Sequence, residues 1–153
     1  MTAAVTYATF IPFSPTKGYF NLGDSMVFFS ALTFGWRAGS VCGGIGSAAA
    51  DILLGSGIYA PITLVAKGGE GFLAGLIGHT KISKTWRVVA GISVGGAFMI
   101  LTYFLTELIV LNVGLGKALS EVPVNLLQVV LGGVIGGLAS YYVRKSYPSL
   151  TAS

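Results

Sequence analysis

The sequence predicts an all-α membrane protein, a six-transmembrane-helix bundle whose first helix is truncated. Composition is the first reason. Of the 153 residues, 54% are hydrophobic and 23 others are glycine, whereas those two groups together make up about 45–50% of a soluble domain. Charge is the second, since charged residues are 9% of the chain against about 25% in an ordinary soluble domain. Too few charges are present to cover a soluble surface. These figures exclude a soluble globular enzyme, a disordered chain and a nucleic-acid-binding module. The third reason is punctuation: apolar runs are separated by short segments that hold most of the basic residues.

A span takes about 20 residues, so a chain of this length holds about six. The first apolar run, residues 1–11, is closed by Pro12 and Pro15. It is about half a span, and apolar sequence is expected upstream of Met1. Residues 1–10 have no basic n-region, so no cleavable signal peptide is expected. Residues 13–21, FSPTKGYFN, read as a loop. The second helix is expected over 22–35 and the third over 38–54, with a tight turn at Gly35 and Arg37. Gly55, Gly57 and Pro61 break the chain around the next loop. A fourth helix over 60–78 leads to the basic loop HTKISKTWR, and a fifth covers 88–111. Pro123 suits a first helical turn, which puts the sixth helix at 123–143 behind a loop. No fixed-period repeat is visible, and residues 1–153 read as one integral membrane domain.

Glycine recurs four residues apart at Gly39/Gly43, Gly71/Gly75, Gly91/Gly95, Gly132/Gly136 and Gly133/Gly137. That spacing puts small residues on one helix face, where backbones approach closely. Orientation follows from the basic residues. With the amino terminus cytoplasmic, Arg37, Lys81, Lys84, Arg87, Arg144 and Lys145 fall inside, and Lys17 and Lys117 fall outside. This obeys the positive-inside rule and makes both termini cytoplasmic.

Ionisable residues at membrane depth are costly and face a cavity or a partner. Asp51, Lys67, Glu70 and Glu107 are of this kind. Lys67 and Glu70, three apart on one helix, can pair, either as a structural lock or as groups presented to a polar ligand. The outer half gathers further candidates: Tyr19, Asn21 and Asp24 from the first loop, Tyr59 from the next, and Asn125 and Gln128, three apart on the sixth helix. Rings for stacking and amides for directional hydrogen bonds suit a small polar, heteroaromatic ligand. The competing roles are an interfacial aromatic belt for the tyrosines and interhelical bonding for the amides. Substituting Asn125 or Lys67 by Ala is expected to weaken binding and to leave the fold intact.

Catalytic and metal signatures are missing. His79 is the single histidine and Cys42 the single cysteine, so there is no HExxH pair, no Cys/His cluster and no intrachain disulfide. No GxSxG elbow occurs. GGIG at 43–46 is not followed by GK[ST]. A P-loop is absent, so ATP-driven transport would need ATPase subunits supplied by partners. The sequence calls for no cofactor.

The run GYFNLGD at 18–24, the helix VFFSALTFG, GGIGSAAADIL, and then YAPITLVAKGGEGFLAGLIG together resemble the substrate-binding S components of energy-coupling factor (ECF) vitamin transporters. The likeness is close over residues 16–78. VPVNLLQVVLGGVIGGL is similar to the family's last helix, with Asn125 and Gln128 in matching places. The resemblance implies a multi-pass protein of the prokaryotic plasma membrane with six spans and an outward-facing vitamin pocket. It implies as partners a transmembrane coupling protein and two cytoplasmic ATPases, with substrate released inside when the S component topples in the bilayer. It places Asn21, Asp24, Lys67, Glu70, Asn125 and Gln128 at pocket-like positions, and Ala4 and Ala8 where small residues meet the coupling protein. The nearest S components are riboflavin-type, and related ones take pyridoxine or hydroxymethylpyrimidine, the pyrimidine precursor of thiamine. The alternative from another class is a stand-alone oligomeric channel or secondary transporter for a small polar solute. It would need a pore-lining pattern or an inverted repeat, and neither is obvious. A membrane enzyme would need a nucleophile–base pair or a metal set.

Overall fold

The computed structural model of the chain describes residues 1–12, 19–80 and 85–147. Lys17, Gly18, Lys81 and Lys84 lie outside these. The described chain is almost wholly helical: α1 (Thr2–Ala8), α2 (Gly23–Phe34), α3 (Trp36–Leu53), α4 (Ala60–Gly78), α5 (Thr85–Leu105) and α6 (Leu115–Ser146). A two-stranded antiparallel pair, β1 (Ile11–Pro12) and β2 (Tyr19–Phe20), joins α1 to α2. A π-helical turn, Thr106–Val110, continues α5.

Its surface is inverted relative to a soluble protein. Val41, Ile45, Leu64, Leu101, Leu127 and Val134 are exposed, while Asp24, Asp51, Glu70 and Thr33 are at most 1% exposed. Burying charge inside an aliphatic skin makes sense only where lipid is the solvent. The segments Thr85–Val110 and Leu115–Ser146 are each long and apolar enough to cross a bilayer. Helices α2, α3 and α4 are shorter or more polar.

Glycine spacing sets the packing. At Gly39 an added Cβ would lie 2.5 Å from the Gly71 carbonyl oxygen and 2.6 Å from Ala31 Cβ, so α3 meets both α4 and α2 there. Gly91 and Gly95 rest on the Ala74 and Glu70 carbonyls of α4. Gly132 and Gly136 of α6 sit on Asp24 and the Ser25 carbonyl of α2. The small-residue faces therefore serve packing within the chain. Phe28, Leu32, Ala66, Ala74, Met99 and Val129 form the apolar centre.

The two ends of the bundle differ. At one end Arg144 Nη1 donates to the Leu32 carbonyl at 3.2 Å, its Nη2 donates to the Thr80 carbonyl, and His79 Nδ1 hydrogen-bonds Leu32 O at 3.0 Å. Arg37, Arg87 and Lys145 belong to helix ends at this same side. The acidic and amide residues gather at the other end.

Three sequence-derived boundaries need correction. Helix α6 starts at Leu115, not at Pro123, which lies inside it. Gly114, with φ of 89°, begins the helix, and Ala118 and Glu121 bury one face of the first two turns. Proline in a span is tolerated because neighbouring helices compensate for its missing donor. The first helix ends at Ala8 rather than reaching residue 11, and the loop that follows is pinned as a strand pair. The fifth helix begins at Thr85 and ends in the π turn.

Candidate functional site

A polar cavity occupies the acidic end. The first loop contributes Tyr19 and Asn21, α1 Thr6, and α3 Ser47 and Asp51. From the far side come Tyr59, Thr63 and Lys67 of the α4 region, Tyr103 and Glu107, and Glu121, Asn125 and Gln128 of α6. Each is brought there by its helix. Asp51 is in the last turn of α3, and Thr63 and Lys67 are four apart on one face of α4. Glu121, Asn125 and Gln128 follow the inner stripe of α6. The π turn carries Glu107 inward to 3% exposure. Such turns re-aim one side chain against the ordinary helical register and recur at functional sites.

Tyr19 and Asn21, which precede α2, are fastened at this cavity. Asn21 Nδ2 donates to Gln128 Oε1 at 2.8 Å, and Gln128 Nε2 donates to Asn125 Oδ1 at 3.2 Å. Asn21 Oδ1 accepts from the Gly23 amide at 2.7 Å, which orients the start of α2. The Tyr19 hydroxyl donates to Asp51 Oδ1, and the Tyr19 ring packs on Phe10 with centroids 5.0 Å apart. Burial, reinforced by the Asp51 charge, holds the Tyr19 phenol far above its usual pKa, so it stays a donor. Thr63 Oγ1 and the Tyr103 hydroxyl are 2.8 Å apart and tie α4 to α5.

Beneath the cavity lies an ion cluster. Lys67 Nζ pairs with Asp24 Oδ1 and stands 3.5 Å from Glu70 Oε2. The expected Lys67–Glu70 pair is present, but Asp24, from α2, is the nearer partner. Lys67 reaches the cavity wall, whereas Asp24 and Glu70 do not line it. Of the residues singled out from sequence, Tyr19, Asn21, Asp51, Tyr59, Lys67, Glu107, Asn125 and Gln128 come together around one space. Asp24 and Glu70 lie behind the lining, where they pair with Lys67. Ala4 and Ala8 are far from this role: both are exposed on the outer face of α1, while Thr2 and Thr6 face inward.

The sequence reading missed Thr6, Ser47, Thr63 and Tyr103, uncharged residues with nothing to distinguish them inside apolar helices. It missed Glu121 because that residue was assigned to a loop. An Ala118/Glu121/Asn125 spacing of three and four was the available signal.

The cavity is small, about 50 Å³, against roughly 300–1,000 Å³ for a ligand pocket. A heterocycle needs more room than this cavity offers. No nucleophile–base pair is built into it among the described residues.

The family model for the ECF-type riboflavin transporter, S component, matches residues 1–145. The chain belongs to that family. Two relatives extend the comparison. An uncharacterised protein of Pyrococcus woesei is 37% identical over 145 residues, covering 93% of this chain and 95% of its own length. A thiamine precursor transporter of Lactococcus lactis is 27% identical over 128 residues, covering 82% of this chain and 70% of its own. The S component is thus a membrane transport protein of a vitamin-uptake family, and not a member of an enzyme family. The family and the Lactococcus relative carry different substrate names, so membership alone does not give this S component its ligand.

Proposed function

We propose that this S component captures a water-soluble vitamin outside the cell for ATP-driven uptake by partner subunits. Riboflavin, or a related vitamin or precursor such as pyridoxine or hydroxymethylpyrimidine, is the substrate class. The name of the Lactococcus relative supports the precursor end of that range. The observation that carries the reading is the polar cavity at one end of an apolar-skinned bundle, at which Tyr19 and Asn21 are fastened.

In this reading the chain is one domain that crosses the prokaryotic plasma membrane six times, with both termini and the Arg144 end cytoplasmic. Tyr19, Asn21, Tyr59, Lys67, Asn125 and Gln128 touch the ligand, and Asp24 and Glu70 hold Lys67 in place. The loop opens, ligand enters, and re-formation of the Asn21–Gln128 and Tyr19–Asp51 contacts occludes it. The exposed Ala4 and Ala8 face of α1 meets a transmembrane coupling protein, and two cytoplasmic ATPases drive release inside. Small residues there allow close helix approach.

The test is uptake of a labelled vitamin in cells that express the chain with or without a coupling module. Uptake that depends on the module and on ATP supports the proposal. Equal uptake in liposomes holding this chain alone would make it a secondary transporter or channel.

A further inference from the structure

All five acidic residues of the chain, Asp24, Asp51, Glu70, Glu107 and Glu121, are at most 4% exposed. Every one lies in the cavity wall or behind its lining. Among the described residues the cation that joins them is Lys67, and it is committed to Asp24 and Glu70. Asp51 is covered by the Tyr19 hydroxyl. Among the described residues, Glu107 and Glu121 have no cationic partner. Lys117, one turn before Glu121 on α6, is exposed and forms no ion pair among the described residues.

A second observation points the same way. Glu107 Oε2, Glu121 Oε1 and Asp51 Oδ2 are buried without a hydrogen-bond partner among the described residues, and all three residues line the cavity. Unpaired buried carboxylate oxygens are costly in any protein and more so at membrane depth. The cost is recovered when a ligand brings donors or positive charge to them. Among the described residues no group of carboxylates and other ligands could hold a metal ion. The aromatic walls, Tyr19, Tyr59 and Tyr103, fit a flat ring that also gains from cation–π attraction.

We infer that the ligand is a positively charged nitrogen heterocycle, either an amino-substituted ring bound in its protonated form or a quaternary ring nitrogen. Glu107 and Glu121 seat its charge and Asp51 its remaining N–H donor. The same carboxylates repel vitamins that carry a carboxylate of their own. This rests on the vitamin-capture reading and narrows its substrate.

The experiment is calorimetric titration of the full chain, purified in detergent, with four probes: an aminopyrimidine, a thiazolium compound, neutral riboflavin and the carboxylate-bearing biotin. The aminopyrimidine or thiazolium is expected to bind at least about 30-fold more tightly than riboflavin, and biotin not to bind, as loss of a buried charge partner requires. Glu107→Gln and Glu121→Gln are each expected to reduce cation affinity by at least about 10-fold, and unchanged cation affinity in both would overturn the inference. Riboflavin or biotin binding as tightly as the cations overturns the inference and leaves vitamin capture standing. Binding of none of the four, nor of a wider vitamin panel, overturns both. The comparison among probes on the unmodified chain decides the matter even where a variant fails to fold.

Discussion

Asn21 in the first loop and Gln128 on α6 share a buried hydrogen bond of 2.8 Å between residues 107 positions apart in sequence. That bond fastens Asn21 to the helix that builds the far wall. A neutral buried bond of this kind contributes about 1 kcal/mol. A double-mutant cycle with Asn21→Ala and Gln128→Ala, followed by unfolding in detergent, is expected to give a coupling energy of about 1 kcal/mol. Ligand dissociation is expected to quicken by about 5–10-fold in Gln128→Ala, since each 1.4 kcal/mol is tenfold. A stopped-flow displacement assay measures it.

Lys67 carries a structural role as well as a place in the cavity wall. It is buried between Asp24 and Glu70, themselves 0% exposed. The sequence alone made Lys67→Ala a pure binding variant; its burial revises that. Lys67→Met leaves two carboxylates without their cation and is expected to cost about 3–5 kcal/mol. Adding Asp24→Asn and Glu70→Gln is expected to restore much of it. Equal stability of Lys67→Met and the unmodified chain, by unfolding in detergent, would mean the cluster is neutral in the membrane. Asn125→Ala remains the variant expected to weaken binding with little effect on folding.

Close helix approach gives a contrast between glycines. Gly39→Val puts side-chain atoms against the Gly71 carbonyl and Ala31, where no rotamer relieves the clash. It is expected to destabilise by about 2 kcal/mol or more. Gly116→Ala meets nothing within 4 Å and is expected to be neutral or stabilising by up to about 1 kcal/mol. Thermal unfolding of both in one detergent provides the comparison.

Ala4 and Ala8 separate partner contact from ligand contact. Both are exposed and away from the cavity. Ala4→Trp and Ala8→Trp are expected to leave ligand affinity unchanged and to reduce co-purification with the coupling protein. Equal damage to both properties would make α1 part of the binding core instead.

Much of this architecture is legible in the residues. The fourth helix occupies 60–78 as expected, because Pro61 opens it and the apolar pattern stops at His79. The amide pair Asn125/Gln128 was visible from its spacing of three. The Lys67–Glu70 pair was visible for the same reason, but Asp24, 43 residues away, was not, because only the packing of α2 on α4 unites them. Pro123 misled because proline at a helix start and proline inside a membrane helix look alike in sequence. That one misreading hid Glu121 and so hid the convergence of the whole acidic inventory. The strand pair was hidden too, since the prolines around it read only as breakers.

We propose that the polar cavity is a vitamin site. Mass spectrometry of small molecules that co-purify with the detergent-solubilised chain tests it most directly, with Asn125→Ala alongside. An equimolar heterocyclic vitamin or precursor, depleted in the variant, is the expected result. A chain that carries no small molecule and binds none from a vitamin panel would contradict the account.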